Sequence, residues 1–299
     1  MANTFSLILV LVTLVTGIFW VLDKVRWAPR RLAKAAEMLN VERKDVSGEQ
    51  LAKLAPKPEW IENFTSIFPV IATVLVLRSF LYEPFQIPSG SMMPTLLVGD
   101  FILVEKYTYG VKDPVFRKQL IDVGEPERGD MVVFKYPPEP NVDFIKRVVG
   151  LPGDIIRYTE NKRICIQPKG ANSCDYVDIQ DISISEYMQN GISLTQATEK
   201  LGEVKHQILV NDSFPNQSHQ YYPQPYLAEW VVPEDQYFVL GDNRDNSKDS
   251  RFWGFVPKQN LVGKAVLIWV SFEFSEDPNR LLPSWVPVGI RFDRIGRIN

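Results

Sequence analysis

The side chains of this chain that could do catalytic chemistry are its serines and lysines, because histidine is almost absent. The 299 residues include two histidines and two cysteines. His206 and His219 lie well away from Cys165 and Cys174 and lack ligand spacing, so a four-ligand structural zinc site is not expected. A Ser-His-Asp protease is possible but poorly supported. A serine hydroxyl needs a nearby base to act as a nucleophile, and a lysine can take that role.

A serine-rich turn between prolines is the first candidate for a nucleophile. Residues 83–96 read EPFQIPSGSMMPTL, and two prolines bracket Ser89-Gly90-Ser91. Proline fixes its own φ and biases the preceding residue towards extended geometry, while glycine reaches backbone angles closed to other residues. Such a segment can hold a serine rigidly in an exposed turn. A linker rich in turn residues is the competing interpretation, and composition alone favours it.

A lysine within an apolar strand is the candidate base. Residues 144–150 read FIKRVVG, and strand alternation puts Lys146 on the same face as Phe144 and Val148. An apolar setting disfavours the ammonium form and lowers a lysine pKa from about 10.4 towards the working pH. An ordinary Lys-Arg pair on an amphipathic strand is equally compatible with the pattern. Spacing alone also leaves three other lysines open as the base: Lys106, Lys135 and Lys264.

A third polar cluster, residues 241–251, reads GDNRDNSKDSR between two apolar runs. Asp and Asn readily form local side-chain turns, so a solvated turn is the simplest interpretation. A calcium loop of the EF-hand type fails the template. Ser247 stands where glycine is required at position 6, and Trp253 where glutamate is expected at position 12.

These three segments resemble the sequence boxes of bacterial type I signal peptidases of the Gram-negative type. The matching strings are IPSGSMMPTL at 87–96, FIKRVVGLPGD at 144–154 and GDNRDNSKDSR at 241–251, with RGDMVVF at 128–134 matching a further strand box. The last string is expected to form core scaffolding and a pocket wall. The resemblance covers both apolar runs near the N-terminus and everything after them. It is weakest between those runs and over residues 167–230.

The resemblance implies a role for each motif residue. Ser91 is expected to attack the peptide bond, with Lys146 as its general base. Ser89 Oγ and the Ser91 N–H are expected to hold the oxyanion, and Ser247 to orient the lysine. The remaining charged residues of the third cluster are expected to be structural, Asp249 paired with Arg251, and Asp242 and Arg244 supporting the site.

The implied reaction is the removal of N-terminal signal peptides from exported preproteins, with no metal and no cofactor. Signal-peptide cleavage sites carry small residues in an A-x-A pattern, so two shallow apolar pockets are needed. The resemblance assigns their walls to Phe85, Ile87, Pro88, Met92, Leu96, Ile102, Val133, Phe144 and Ile145. The substrate is expected to add an extended strand beside residues 85–88.

Two apolar runs are expected to anchor this chemistry in a bacterial inner membrane. Residues 5–22 carry no charge over a length that can span a bilayer, and residues 63–81 form a second run interrupted by Pro69 and Arg78. A cleaved signal for the first run and a buried soluble helix for the second are the alternatives. Nine Lys and Arg between the runs favour a cytoplasmic loop over 23–62 with one or two surface helices. Residues 1–4 and 82–299 are then periplasmic.

The region after residue 82 has the texture of a mainly β domain. Short β-rich runs separated by turn residues predict strands at 101–105, 131–136, 144–149, 154–158, 164–166, 207–210, 237–240 and 264–272. They indicate an all-β barrel or sandwich, and the resemblance implies the β-barrel fold of Ser-Lys peptidases. Residues 167–204 read as a polar insertion, with a short helix expected around 184–201.

Two smaller features of the outer region carry expectations. Cys165 and Cys174 are nine positions apart, and an oxidising compartment permits a disulfide between them. Two free thiols are the alternative. Exposed aromatic side chains such as Trp285 or Trp230 are expected to reach a membrane interface.

Composition and context bound the remaining functions. A net charge of −3 does not favour nucleic-acid binding, which usually needs a basic face. The expected partners are exported preproteins, the lipid bilayer and the vicinity of the export translocase. Two alternatives stay open at this point: a self-cleaving repressor type of Ser-Lys peptidase, and a non-catalytic membrane-anchored assembly protein.

Overall fold

The computed structural model describes residues 2–38, 56–223, 226–275, 283 and 285–298. Within it the chain divides into two compact units. One comprises Met1–Leu81 together with Asp113–Lys118, and the other comprises Tyr82–Lys112 together with Gln119–Asn299.

The first unit is helical. Helix α1 is Ala2–Leu22, a π-helical turn follows at Asp23–Trp27, and α2 is Ala28–Met38. Helix α3 is Glu59–Val76 and continues into a π-helical turn at Leu77–Leu81. By length and composition, two continuous helical stretches could cross a membrane, Thr4–Ala35 and Glu59–Leu81. They are only 6% and 11% buried, which argues against the buried soluble helix considered for the second run. Helix α2 is one of the expected surface helices, while residues 39–55 of that loop lie outside the described residues.

Aromatic contacts hold α1 against α3. The Phe19 and Phe64 rings stack with centroids 5.0 Å apart, and the Trp20 and Phe68 ring centroids lie 5.4 Å apart. Gly17 makes room for the Phe68 ring, because a Cβ there would lie 2.9 Å from it. Small residues that allow such close approach are typical of helix pairs in membranes.

The second unit is mainly β, as predicted. Its principal sheet runs in the order β1-β2-β16-β5-β6-β14-β15. The bounds are β1 Tyr82–Gln86, β2 Asp100–Glu105, β5 Met131–Lys135, β6 Asp143–Gly150, β14 Gln236–Leu240, β15 Val256–Pro257 and β16 Leu261–Glu273. Two short strands, β17 Gly289–Ile290 and β18 Gly296–Arg297, pair with β16. No pairing among the described residues joins β1 to β15, so these strands form an open path.

Three smaller sheets complete the second unit. The ribbon β3 Val111–Lys112 and β4 Gln119–Ile121 is two-stranded. A four-stranded sheet has the order β13-β7-β8-β9, with β7 Ile155–Tyr158, β8 Ile164–Gln167, β9 Asp175–Tyr176 and β13 Glu229–Val231. A three-stranded sheet contains β10 Asp178–Gln189, β11 Ile192–Leu201 and β12 Val204–Val210. All eight predicted strands are present, with bounds shifted by up to three residues at an end.

The helix expected around 184–201 is wrong, because this segment forms the hairpin of β10 and β11. Gln189 pairs with Ile192, so the loop is the two residues Asn190 and Gly191. Their φ angles are 52° and 78°, as a tight hairpin turn with a right-handed twist requires. The Asn-Gly dipeptide was the sequence signal for this turn. Pairing of β11 with β12 over residues 195–201 outweighs the weak helix propensity of its polar residues.

A disulfide joins Cys165 on β8 to Cys174 just before β9, as favoured over two free thiols. Trp230 contradicts the expectation of an interfacial side chain. It is 3% exposed and packs in an apolar cluster with Phe238, because β13 lies on the sheet that carries the disulfide. Trp285 is 75% exposed.

Strand β6 crosses the core and is buried on both faces. Val148 belongs to an apolar cluster with Phe134 and Tyr237, whereas Val149 belongs to another with Phe238. The charged residues just before them are enclosed as a result, Lys146 at 3% exposure and Arg147 at 2%.

Candidate active site

The nucleophile candidate lies on a short turn at the end of an edge strand. After β1, the Ile87 N–H donates to Asp100 O at 2.8 Å, which extends the pairing of β1 with β2. Ser89 is exposed with extended backbone angles, and Gly90–Met92 then forms a single 3₁₀ turn. Ser91 therefore sits at the point where the chain leaves the sheet, half-buried and open to a cavity.

The loop after β14 holds this turn in place. The Asn243 backbone N–H donates to Ser91 O, and its side-chain amide donates to Gly90 O, each at 3.1 Å. Gly241 allows the two segments to meet, because a Cβ there would lie 2.5 Å from Ser91 O and 2.2 Å from Ser247 Oγ. Asn243 is a positioning residue that the sequence alone did not single out. Its position between Asp242 and Arg244 was the available signal.

The lysine candidate reaches the serine directly. Lys146 Nζ lies 2.6 Å from Ser91 Oγ and donates to the carbonyl of Ile145 at 2.8 Å. Nζ also lies 5.5 Å from the centre of the Phe144 ring, on the face that strand alternation predicted. Serine hydroxyl and amine are thus within the hydrogen-bond reach that general-base catalysis needs.

Burial lowers the pKa of this lysine. The Lys146 pKa falls from 10.5 to about 8, with desolvation as the largest cause and the positive charge of Arg251 as a smaller cause in the same direction. The carboxylates of Asp249 and Asp242 act in the opposite direction. The apolar environment is the largest of these effects, because it penalises the charged ammonium form.

The other candidate bases are occupied elsewhere. Lys106 pairs with Glu83 at 3.1 Å, Lys135 with Asp143 at 2.9 Å, and Lys264 with Asp130 at 2.5 Å. Each of these amines therefore contacts a carboxylate, whereas Lys146 contacts Ser91.

The two accessory serines have different surroundings. Ser89 Oγ lies 3.5 Å from Ser91 Oγ and is exposed, so its hydroxyl can reach an atom bonded to Ser91. Ser247 Oγ is buried against Gly241 and has no hydrogen-bond partner among the described residues. The expected hydrogen bond from Ser247 to Lys146 is therefore not formed in this structure, although both residues line the same cavity.

Three buried ion pairs lie near Ser91 and Lys146, which together are called the dyad below. Two of these pairs use partners that the sequence did not identify. Arg251 pairs with Asp249 through two hydrogen bonds of 2.8 and 2.9 Å, as expected. Asp242 pairs with Arg147, the neighbour of Lys146, through bonds of 2.9 and 2.8 Å. Arg244 pairs with Glu199 on β11. Strand alternation offered a signal for Arg147, which points away from Lys146, but none was visible for Glu199.

The polar cluster at 241–251 is neither a solvated turn nor a calcium loop. The side chains of Asp242 and Asp249 are turned inward and saturated by arginines, and Asp249 also accepts from the Gly241 N–H at 3.1 Å. Over the described part of the chain, no three His, Cys, Asp or Glu side chains are grouped so as to hold a metal ion.

The dyad opens into a cavity of about 730 Å³. Its lining includes Ser89, Ser91, Lys146 and Ser247, together with the aromatic residues Tyr221 and Phe252. Of the predicted pocket residues, three line this cavity: Pro88, Phe144 and Ile145. The other six pack in one apolar cluster that Ile145 also contacts: Phe85, Ile87, Met92, Leu96, Ile102 and Val133. The assignment of these side chains to substrate pockets stays a prediction.

Comparison with known proteins gives a consistent result. The family model described as signal peptidase, peptidase S26, matches residues 59–270. A protein named signal peptidase I from Buchnera aphidicola subsp. Acyrthosiphon pisum is 40% identical over 324 residues, covering 100% of both chains. Proteins of the same name from Pseudomonas fluorescens and Pseudomonas aeruginosa are 44% and 42% identical over 302 and 300 residues. Each alignment covers 97% of this chain and 99% of the relative.

Proposed function

The chain belongs to the peptidase S26 family of signal peptidases, and we propose that it removes signal peptides by acyl transfer from Ser91 with Lys146 as the base. It is a serine endopeptidase. The observation that carries the residue assignment is the 2.6 Å separation of Lys146 Nζ and Ser91 Oγ within a buried setting. Family membership also answers the two alternatives, since neither a non-catalytic assembly protein nor a self-cleaving repressor accounts for full-length matches to signal peptidases.

Acylation begins with proton transfer. Neutral Lys146 accepts the Ser91 hydroxyl proton as Oγ attacks the scissile carbonyl carbon. The resulting ammonium can then protonate the amine of the departing mature chain. Its hydrogen bond to Ile145 O at 2.8 Å holds Nζ on the serine side of the strand throughout. The same lysine then activates a water molecule that releases the signal peptide from Ser91.

The charge that develops on the carbonyl oxygen needs donors. The Ser91 N–H and the Ser89 hydroxyl, whose Oγ lies 3.5 Å from Ser91 Oγ, are the groups best placed to supply them. Removal of one such donor typically costs on the order of 3 kcal/mol of transition-state stabilisation. The bonds from Asn243 to Gly90 O and Ser91 O keep this turn in one conformation.

The substrate assignment rests on the free edge of β1 and the apolar residues behind it. Within the part of the chain that the structure describes, β1 ends the principal sheet and pairs with β2 alone, which leaves its outer edge for an added strand. The side chains of Ile87 and Met92 are almost fully buried beneath it, at 2% and 1% exposure. We therefore expect the substrate pockets to accept only alanine-sized side chains, as the A-x-A pattern of a cleavage site requires. The barrel-type fold of Ser-Lys peptidases is part of this proposal, supported by the long, bulged β16 that pairs with both β2 and β5.

Anchoring by the two apolar helices places the enzyme beside its membrane-inserted substrates. The proposed location is the bacterial inner membrane, with residues 23–62 cytoplasmic and 82–299 periplasmic. The proposed domain bounds are those of the sequence analysis, including spans at 5–22 and 63–81. The basic residues between the spans support this sidedness. Proximity to the export translocase follows from the substrates themselves.

Cleavage of a purified preprotein by the purified full chain tests the dyad. Ser91→Ala and Lys146→Met are each expected to lower kcat by at least about a thousandfold while the protein still binds substrate. Lys135→Met, which removes a lysine from the neighbouring strand β5, is the matched control and is expected to stay active. Full activity of Lys146→Met would remove the lysine from the mechanism.

A further inference from the structure

The cavity that contains the dyad continues past it, on the side away from β1. Among the described residues, none from β1 itself lines this cavity, whereas side chains from two distant segments, 217–221 and 244–252, do. The signal-peptide side of the substrate is proposed to add to the edge of β1. The departing mature chain then leaves Ser91 in the other direction, into this part of the cavity. Its direction rests on the proposed function, because the dyad fixes where the cleaved bond lies.

The charged side chains that line this cavity are balanced by partners, with one exception. The two carboxylates in the lining each pair with a lysine that lies outside it, at 2.9 and 2.8 Å. The two arginines in the lining take part in the buried ion pairs described above. Lys146 is the proposed neutral base. Lys248 is exposed, and within the described part of the chain its ammonium group has neither an ion pair nor a hydrogen bond. The lining therefore carries one uncompensated positive charge.

The backbone places Lys248 a short distance beyond the nucleophile. Ser247 is extended, with φ −131° and ψ 125°, and its hydroxyl is buried. Alternation along an extended chain therefore turns Asn246 and Lys248 to the opposite, exposed side. The Asn246 amide lies 3.8 Å from where a Cβ on Gly90 would be, in the turn that carries Ser91. Two residues of extended chain cover about 7 Å, so Lys248 lies level with the second or third residue after the cleaved bond.

A row of aromatic rings fixes the backbone of Lys248 relative to the dyad. The Lys248 carbonyl accepts from Trp253 Nε1 at 3.1 Å. The Trp253 and Tyr136 ring centroids lie 5.6 Å apart, and Tyr136 stacks on Phe144 at 4.2 Å. The Phe144 ring in turn lies 5.5 Å from Lys146 Nζ. The main chain at Lys248 is thus held in place, while its side chain stays exposed to the path of the substrate.

We propose that Lys248 makes the enzyme prefer preproteins that carry an acidic residue at the second or third position of the mature chain. A carboxylate there pairs with the uncompensated cation of the cavity, whereas a lysine or arginine is repelled by it. Exposed ion pairs are weak, so the effect is a graded preference and not a requirement. Lys248 is then a specificity-determining residue for the mature chain, separate from the pockets that accept small side chains before the cleaved bond.

Competition between three preproteins that differ only at these two positions measures the preference. Glu, Gln or Lys occupies both positions, and the full chain cleaves the mixture in a neutral detergent, so the product ratios give relative kcat/KM values. The wild type is expected to cleave the Glu form about three- to tenfold faster than the Lys form, with the Gln form between them. This ratio should approach one in 1 M salt, where the Debye length is about 3 Å.

Reversal of the charge gives the sharper test. Lys248→Glu should cleave the Lys form faster than the Glu form, and Lys248→Gln should cleave the two forms within about twofold of each other. Lys200→Glu makes the same change in net charge at an exposed lysine of β11 outside the cavity lining, and it should keep the wild-type ratio. A wild-type ratio that persists in Lys248→Glu, or that is lost equally in Lys200→Glu, would overturn the proposal.

The same assay separates this proposal from the proposed function. Cleavage of the Gln form by the wild type and by each variant shows that the enzyme is folded and active. Equal cleavage of all three forms by the wild type would reject the role of Lys248 alone. Cleavage of none of the forms would reject the proposed function, and the role of Lys248 with it.

Discussion

At the scale of a single residue, the surroundings of Lys146 support its proposed role as the base. Among the described residues no carboxylate lies within ion-pair distance of Lys146 Nζ, and its hydrogen-bond contacts there are Ser91 Oγ and the Ile145 carbonyl. Each of the competing lysines has a carboxylate at 3.1 Å or less. This difference in surroundings favours Lys146 over the other three lysines as the proposed base.

The pH dependence of cleavage should report this lysine. The base must be neutral to act, and its pKa is about 8. We therefore expect kcat/KM to rise close to tenfold per pH unit below pH 8 and to level off above it. A series of kcat/KM values on one preprotein between pH 6 and 9.5 measures this. A profile that is flat or falls with increasing pH would contradict the assignment.

The same burial predicts that removal of the lysine stabilises the fold. The folded pKa of about 8 lies below the ordinary value of 10.5, so between these values the unfolded state binds more protons. Burial of the lysine therefore costs stability at neutral pH, and this cost disappears as pH rises from 8 towards 10.5. Allowing for the unpaired Ile145 carbonyl, Lys146→Met should raise the free energy of unfolding by about 1–3 kcal/mol at pH 7.

Guanidinium unfolding in detergent, followed by tryptophan fluorescence at pH 7 and pH 10, measures the effect. The advantage of Lys146→Met over the wild type should shrink at the higher pH. Lys135→Met, which breaks an ion pair with Asp143, should show no such gain. A destabilised Lys146→Met variant would indicate that the contacts of the folded lysine outweigh the cost of its burial, contrary to the lowered pKa.

At the scale of elements, the site depends on the contact between two loops. One follows β1 and carries Ser91, and the other follows β14 and carries Asn243. Arg251 donates to Arg244 O at 2.5 Å, and Asp249 accepts from the Gly241 N–H, so the second loop is braced from within. The hydrogen bonds from Asn243 to Gly90 O and Ser91 O then fix the turn that carries Ser91 against this loop.

Loss of the Asn243 side chain should lower turnover more than stability. Asn243→Ala removes the side-chain donor to Gly90 O but leaves the hydrogen bond from the residue 243 backbone N–H to Ser91 O. The turn at Gly90–Met92 is therefore expected to become less rigid without unfolding. We expect kcat to fall about tenfold or more with KM changed less than threefold, since small misplacement of a nucleophile is costly. Asn260→Ala, which removes a comparable hydrogen bond from a side-chain amide to Lys135 O, is the control. Equal kcat values for the two variants would remove the positioning role.

At the scale of the whole molecule, the catalytic contacts all lie within one of the two compact units. Ser91, Lys146, Asn243 and the three ion pairs belong to Tyr82–Lys112 and Gln119–Asn299. The helices that could span a membrane belong to the other unit. Anchoring and chemistry are therefore separable in principle.

A chain restricted to residues 82–299 should still cleave a preprotein in detergent solution. We expect its kcat to remain within about tenfold of the full chain, because the hydrogen bonds of Ser91 and Lys146 that the described residues show all come from positions after 81. Circular dichroism verifies that the fragment is folded, and Ser91→Ala in the fragment is the blank. A folded but inactive fragment would show that the anchor contributes to the chemistry itself.

Much of this protein could be read from local patterns. The length of the apolar runs predicted the two apolar helices, and alternation and turn residues predicted eight strands. The resemblance of three boxes singled out Ser91, Lys146 and the Asp249–Arg251 pair. These features depend on neighbours in the chain, which is why they are visible there. The hairpin of β10 and β11 was missed because its polar residues suggested a helix, although Asn190-Gly191 marked the turn.

Only the tertiary structure decided which groups meet across the chain. The partners Arg147 for Asp242 and Glu199 for Arg244, the absence of a hydrogen bond from Ser247 to Lys146, and the burial of Trp230 all depend on contacts between distant segments. The lowered pKa of Lys146 belongs with them, because desolvation is set by the packing of several strands around one side chain. The sequence identifies which side chains can react. The fold sets the distances between them and the polarity of their surroundings, and these determine whether they react.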